Sequence, residues 1–455
     1  MEPGRCAASQ APAGDAKLMS KKNSKSAEAP FSILARGPKM VSAVRESLSK
    51  VEATARRMHF SLGPDERLMI PTPEFLLQTA IRSRGFFSGT LLDILGGDGL
   101  GKTTLGWTII GWFLRHNCPA LHIETENKAM LPGRVQQALH TNRALAAQMY
   151  AAVQREQAFT VRDAVVKVNE WLMTIRNPKS GPDIYVPLNY PAIVVVDTFS
   201  KLLAPTQAGN VSYYAGEGKA ENKRDLGEGS NQEHAKLAHA WCRELPTLLR
   251  CHNAVLVMLR HQNEDVDMSG GGGGSFISPE VKATFNRKSI GGQAFSQNAA
   301  LQFILTRKNF DVRQISGERV KVGMNVKLTV SKNSFGPPGD CVYTVTLVPQ
   351  GDTAEIQTPA ISWANQLPEV ISDEKLLPIT IRNARSLVCR EFGLDELTPE
   401  QFHALLHSKP ELINNLAQRM QLTGYGPMFI TPPADPAFAG QAPDEPLVDD
   451  ASKAE

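Results

Sequence analysis

The chain has 455 residues, 42% of them hydrophobic and 21% charged, which exceeds one ordinary domain and excludes wholesale disorder. Lys plus Arg is 49 and Asp plus Glu is 46, a net charge of +3 that hides an asymmetry: residues 1–59 hold 11 basic and 5 acidic side chains, residues 351–455 hold 7 and 16. A basic front and centre with an acidic tail suits a polyanionic partner for which the tail competes. The cysteines, Cys6, Cys118, Cys242, Cys251, Cys341 and Cys389, show no CxxC spacing, which argues against a zinc site and against a secreted disulfide scaffold. No apolar run reaches the roughly 18 residues of a membrane span, and the opening residues lack the apolar stretch of a signal peptide. A reduced, soluble, cytoplasmic protein with no membrane partner is expected.

Residues 1–38 are rich in Ala, Ser, Lys and Pro and read as a disordered lead-in. Within 39–70, the spacing of Val44, Leu48, Val51 and Ala55 predicts a basic amphipathic helix over 40–58. Strands and helices then alternate over 71–357. LLDIL (91–95) reads as a strand with a helix over 103–114 behind it, and ALHIE (120–124) as the next strand. AIVVVD (192–197) and AVLVML (254–259) are apolar throughout, as in strands buried on both faces. ALQFILTRK (300–308), VKLTVSKN (326–333) and CVYTVTLV (341–348) follow closely enough to form an antiparallel edge. This order predicts an α/β core with a mostly parallel sheet. Two long polar stretches, 206–231 and 264–292, interrupt it, and stretches of that length inside a domain are commonly functional or disordered. Helical patterns over 358–431 suggest a small helical C-terminal domain, and 432–455 reads as an acidic disordered tail.

Gly96, Gly97, Asp98, Gly99, Leu100, Gly101, Lys102, Thr103 and Thr104 fit G-x-x-x-x-G-K-[ST] between a strand and a helix. The glycines let backbone N–H groups wrap phosphates, Lys102 reaches the β- and γ-phosphates, and the Thr103 hydroxyl serves Mg²⁺, so ATP with Mg²⁺ is the expected ligand. Asp197, ending the apolar run at 193–196, is the second candidate metal residue. Hydrolysis needs a carboxylate to orient and deprotonate water. Glu126 is the best placed, with Glu124 its rival, both near the carboxyl edge of the sheet where α/β ligands bind.

Several runs, in order, resemble the RecA family of recombinases, and its phage branch of UvsX-like strand-exchange proteins more than the cellular bacterial members. They are TPEFLLQTAIRSRGFFSGTLLDILGGDGLGKTTL, ALHIETENKAM, AIVVVDTFSKLLAP, SIGGQAFSQNAALQFILTRKN and VKLTVSKNSFGPP. The resemblance covers about 71–348 and implies a RecA-like P-loop ATPase core with an N-terminal helical arm that polymerises on the next subunit. It implies a recombinase that forms helical filaments on single-stranded DNA and exchanges strands with a homologous double-stranded DNA in recombination and repair, alongside single-strand-binding and mediator proteins. By the same resemblance Glu126 is the catalytic carboxylate, and 206–231 and 264–290 are DNA-binding loops. The first holds Lys219, Lys223 and Arg224, with Tyr213 and Tyr214 at its edge; the second holds Phe276, Phe285, Arg287 and Lys288 and runs into Gly291 and Gly292. Basic groups neutralise phosphates and aromatic rings stack on bases, as single-strand binding requires.

The sequence departs from the family at two points. A glutamine senses the γ-phosphate in bacterial members, and His261 stands at the aligned position here, with Gln262 one beyond. Bacterial members present two lysines to the neighbouring subunit's ATP, whereas this chain keeps Lys332 and has Ser334 at the second position. The segment between Glu126 and Asp197 is also longer than in the family, and an added surface helix pair is expected there. Two other readings stand beside this one: a hexameric DNA motor or helicase on the same core, and a regulatory ATP-binding module without recombination.

Overall fold

Continuous apolar runs have no polar face to offer water, so strands built from them need cover on both sides. The computed structural model describes residues 32–50, 67–126, 132–139, 142–204, 229–262, 294–315, 318–347, 360–363, 429–430 and 435–436. Its strands are β1 (Arg67–Pro71), β2 (Gly85–Phe87), β3 (Thr90–Gly96), β4 (Ala120–Glu124), β5 (Val153–Gln157), β6 (Ala192–Asp197), β7 (Ala254–His261), β8 (Leu301–Ile315), β9 (Glu318–Asn333), β10 (Asp340–Thr346), β11 (Ile361–Ser362) and β12 (Phe429–Ile430). The helices are α1 (Ile33–Lys50), α2 (Phe75–Ile81), α3 (Lys102–Leu114), α4 (Pro132–Leu139), α5 (Arg143–Ala152), α6 (Val161–Arg176), α7 (Gly229–Cys251) and α8 (Ala294–Asn298). One sheet has the order β11-β10-β9-β8-β3-β7-β6-β4-β5, and β12-β1-β2 form another. From β5 across to β8 the neighbours are parallel, and β8, β9, β10 and β11 pair antiparallel. The fold is α/β with a large, mostly parallel sheet and an antiparallel edge where the sequence placed one. Among the described residues, no helix is long and apolar enough to cross a membrane.

Every residue of β6 and β7 is buried. Helix α3 is buried at 11 of its 13 positions, which explains why its sequence has no polar stripe. Gly106 lets α3 approach the sheet closely: a Cβ there would stand 3.3 Å from both Val195 on β6 and Leu259 on β7.

Three expectations need correction. The segment between Glu126 and Asp197 is more than a helix pair, since it adds β5 as an edge strand together with α4, α5 and α6. β5 reads VQREQ, too polar to signal a strand, because among the described residues its far edge has no neighbouring strand. The N-terminal helix begins at Ile33, inside the span read as lead-in, and residues 51–58 of the expected helix lie outside the described residues. Ile33, Met40 and Val44 recur at helical spacing and are buried where α1 packs on α5 and α6 of its own chain.

The third correction concerns the acidic tail, because Asp435 is fully buried. Its carboxylate accepts from the Leu34 N–H at 3.2 Å and the Ser32 hydroxyl at 2.8 Å, while Asn117 Oδ1 accepts from the Ile33 N–H at 2.9 Å. These acceptors satisfy N–H groups that a helix start leaves unpaired, and an anion there also suits the helix dipole. A tail deletion meant to leave the fold intact therefore begins after Pro436. Within 358–431, Ile361–Ser362 extends the main sheet and Phe429–Ile430 pairs with β1; residues 364–428 lie outside the described residues.

Arg176 ends α6 buried in the protein, where it donates to the carbonyls of His252 (3.1 Å), Val186 (2.9 Å), Pro187 (2.7 Å) and Tyr190 (2.8 Å). Burial lowers its pKa to about 10, still high enough to stay charged. Burial, with Arg176 adding to it, pushes His252 from 6.5 down to about 4. The folded state therefore keeps His252 neutral while the unfolded chain takes up a proton. Its contribution is complete above pH 6.5 and is lost as pH falls toward about 4. The loss is roughly 3 kcal/mol. Urea midpoints measured from pH 7 to pH 4 are expected to fall less steeply in His252→Gln than in the parent chain, and superimposable profiles would contradict this.

Candidate nucleotide-binding site

β3 ends at Gly96, and the chain turns into α3 through Gly99 at φ 71° and Gly101 at φ 75°. Both lie in the left-handed region that glycine tolerates. Gly101 also approaches the antiparallel edge, where a Cβ would stand 2.9 Å from Val345 Cγ2. The first turn of α3 has no acidic residue and Gly101 supplies no side-chain cap, so its N–H groups are available to an anion. Gly101→Ala is expected to strain the loop by about 1–2 kcal/mol and to weaken ATP binding about tenfold. A fluorescent-nucleotide titration checks this, and unchanged affinity would mean that the loop does not cradle phosphate.

Lys102 is buried, and its amine donates to the carbonyls of Gly96 (2.9 Å) and Gly97 (2.7 Å) of its own loop. His261, at the end of β7, pairs in register with Gly96, and its backbone N–H donates to Ser200 Oγ at 2.8 Å. Its Nδ1 is 2.7 Å from Asp98 Oδ1 and its Nε2 is 2.8 Å from Glu126 Oε1. The Lys102 amine lies 3.5 Å from the same Nδ1. A neutral ring donates to only one of these carboxylates, whereas an imidazolium donates to both. Of the two rival glutamates, Glu126 is thus the one that reaches His261; Glu124 stands in register with Asp197 across β4 and β6.

Asp197 ends β6, is 7% exposed, and accepts from the Thr198 hydroxyl at 2.9 Å. Thr103 is the second residue of α3, which packs on β6, so the two candidate metal residues lie on touching elements. Sequence reasoning missed His122, whose Nε2 lies 3.6 Å from Asp197 Oδ2. Among the described residues that buried Nε2 has no hydrogen-bond partner, and the ring stacks on Trp107 with centroids 4.5 Å apart. A histidine inside the otherwise apolar run ALHI was the available signal. The positive-φ glycines, the uncapped first turn of α3, the buried amine and the Asp197 carboxylate fit a nucleoside triphosphate with Mg²⁺.

The structure does not bring Lys332 to this cluster. Lys332 pairs with Gln302, which pairs with Asp93, three strand positions before Gly96 and roughly 10 Å short of it. Its amine faces the other end of the sheet, donating to the carbonyls of Ser296 (3.1 Å) and Gln297. Ser334 donates its N–H to Ala300 O at 2.9 Å, next to the same place.

Lys219, Lys223, Arg224, Phe276, Phe285, Arg287, Lys288, Gly291 and Gly292 lie outside the described residues, as do Tyr213 and Tyr214. The last three residues of the 206–231 stretch belong to α7. The second stretch begins three residues after His261, at Glu264; between them Gln262 donates its N–H to Gly96 O at 3.2 Å, and α8 follows the end of the stretch. Comparison with protein-family models and with curated proteins gives no match to this chain.

Proposed function

We propose that the chain is an ATP-dependent DNA strand-exchange protein with a RecA-like core, polymerising on single-stranded DNA with ATP between adjacent subunits. The observation that carries this reading is the position of His261. It touches the phosphate-loop residue Asp98 and the candidate base Glu126, and it stands three residues before the second polar stretch. In this reading one side chain joins the nucleotide to the strand that leads into that stretch, as a DNA-binding protein switched by ATP requires.

In this reading the loop N–H groups and Lys102 bind the triphosphate, and Thr103 and Asp197 hold Mg²⁺, which neutralises phosphate charge when bound. Glu126 orients the attacking water and takes its proton, while ADP and phosphate leave. His261 exchanges its contact with Asp98 for the γ-phosphate, which frees or fixes Glu126 according to the nucleotide present. Lys332, facing away from its own phosphate loop, acts on the neighbouring subunit's nucleotide, as a trans-acting cation does. The basic and aromatic residues of 206–231 and 264–290 hold the DNA strand, and base pairing with a homologous duplex supplies the sequence reading.

The test is ATP turnover of the full chain with and without single-stranded DNA, with negative-stain images of both samples. Stimulated turnover with open helical filaments is expected. Closed rings would point to a hexameric motor, and tight ATP binding without stimulation or filaments to a regulatory module.

A further inference from the structure

A polar network is buried between the phosphate-loop strand and the short helix that follows the second polar stretch. At its centre Arg260 and Asp93 are both fully buried, with Nε 2.7 Å from Oδ1 and Nη2 2.5 Å from Oδ2. A buried ion pair needs its remaining hydrogen-bonding capacity satisfied to offset desolvation, and here the partners come from two other elements. Gln302 on β8 donates to Asp93 Oδ2 at 2.7 Å. Ser296 on α8 donates to the same oxygen at 3.2 Å and accepts from Arg260 Nη2 at 2.8 Å and Gln302 Nε2 at 2.6 Å. The Ser296 hydroxyl thus uses its donor and both lone pairs, its full capacity.

This network reaches Lys332 by two routes. The Ser296 carbonyl accepts from the Lys332 amine at 3.1 Å, and the Gln302 side-chain oxygen accepts from the hydroxyl of Ser331, the preceding residue, at 2.7 Å. At its other end Arg260 immediately precedes His261 on β7. Lys332 also lines a cavity of about 430 Å³ with Arg250, Ser334 and Phe335, at the end of the sheet away from the phosphate loop.

We propose that Ser296 is a positioning residue that ties the buried Asp93–Arg260 pair to Lys332 and so sets the cation presented to the next subunit. This rests on the strand-exchange reading and adds a direction to it: the strand ending at a subunit's own His261 also governs what that subunit offers its neighbour. Losing the Ser296 hydroxyl leaves Asp93 paired with Arg260 and Gln302 and leaves α8 anchored by the buried Phe295. It removes the side-chain tie between the ion pair and the residue whose carbonyl holds Lys332, and misplacing a catalytic cation by a fraction of an ångström costs about tenfold or more in rate.

A mixing experiment with full-length chains tests it. Lys102→Ala subunits lack their own nucleotide site but keep Lys332, and Lys332→Ala subunits have the opposite defect. Their mixture on single-stranded DNA is expected to recover turnover at Lys332→Ala sites flanked by a Lys102→Ala subunit. Adding Ser296→Ala to the Lys102→Ala subunit is expected to lower that recovered turnover about tenfold. Adding it to the Lys332→Ala subunit instead leaves turnover unchanged, which a general loss of stability would not do. Gln302→Met, cutting the same network from β8, is expected to repeat the pattern. Turnover within twofold in both placements, or an equal fall in both, would overturn the proposal. No turnover in the starting mixture would remove the trans role of Lys332, and the positioning role with it, which separates that failure from a failure of Ser296 alone.

Discussion

Glu126→Gln is expected to lower DNA-stimulated ATP turnover by about a thousandfold while changing ATP affinity by less than about twofold. Glutamine keeps an oxygen that can accept from His261 Nε2, now 2.8 Å from the carboxylate, so the geometry of the cluster survives. What is lost is the capacity to take a proton from water, and that loss falls on the chemical step. Filaments on single-stranded DNA are expected to form and then persist, because they no longer reset by hydrolysis. Single-turnover kinetics with a parallel nucleotide-binding titration separate the two effects. Turnover within about tenfold of the parent would move the role to another carboxylate, with Glu124 next in line.

Lys102→Ala is expected to weaken ATP binding about a hundredfold, close to 2.7 kcal/mol, the scale of losing hydrogen bonds to a charged group. The amine now bonds to the carbonyls of Gly96 and Gly97, which hold it inside the loop where phosphates would lie. Its removal takes a positive charge from a buried position without exposing an apolar core, so the thermal midpoint is expected to change little. Lys102→Arg is not expected to restore binding, because a planar guanidinium does not replace a compact ammonium in a loop built around it. Isothermal titration with ATP reads the loss directly, and parent-like affinity would mean that the loop is a structural turn.

The central strands were legible because burial on both faces leaves a continuous apolar run, and β4 and β6 match their sequence boundaries residue for residue. The glycine-rich turn between β3 and α3 was legible because its glycines answer a backbone demand, visible as positive φ at Gly99 and Gly101. β5 was not legible, since an edge strand of polar residues has no periodic signature. α6 carried one unused signal, the capping box in which the Thr160 side chain accepts from the Asp163 N–H at 3.1 Å and Asp163 bonds back to Thr160. Asp435 and Asn117 were beyond reach for a different reason: each satisfies a helix start 401 and 84 residues away, and no local pattern marks such a partner. The same holds for the Asp93–Arg260 pair, 167 residues apart and dependent on strand order for its meeting.

Strand transfer between circular single-stranded DNA and a homologous linear duplex tests the central claim most directly. Joint molecules that need ATP, Mg²⁺ and homology are expected, and none with Lys102→Ala. Failure to form joint molecules at any nucleotide or salt condition, by protein that binds single-stranded DNA and hydrolyses ATP, would contradict it.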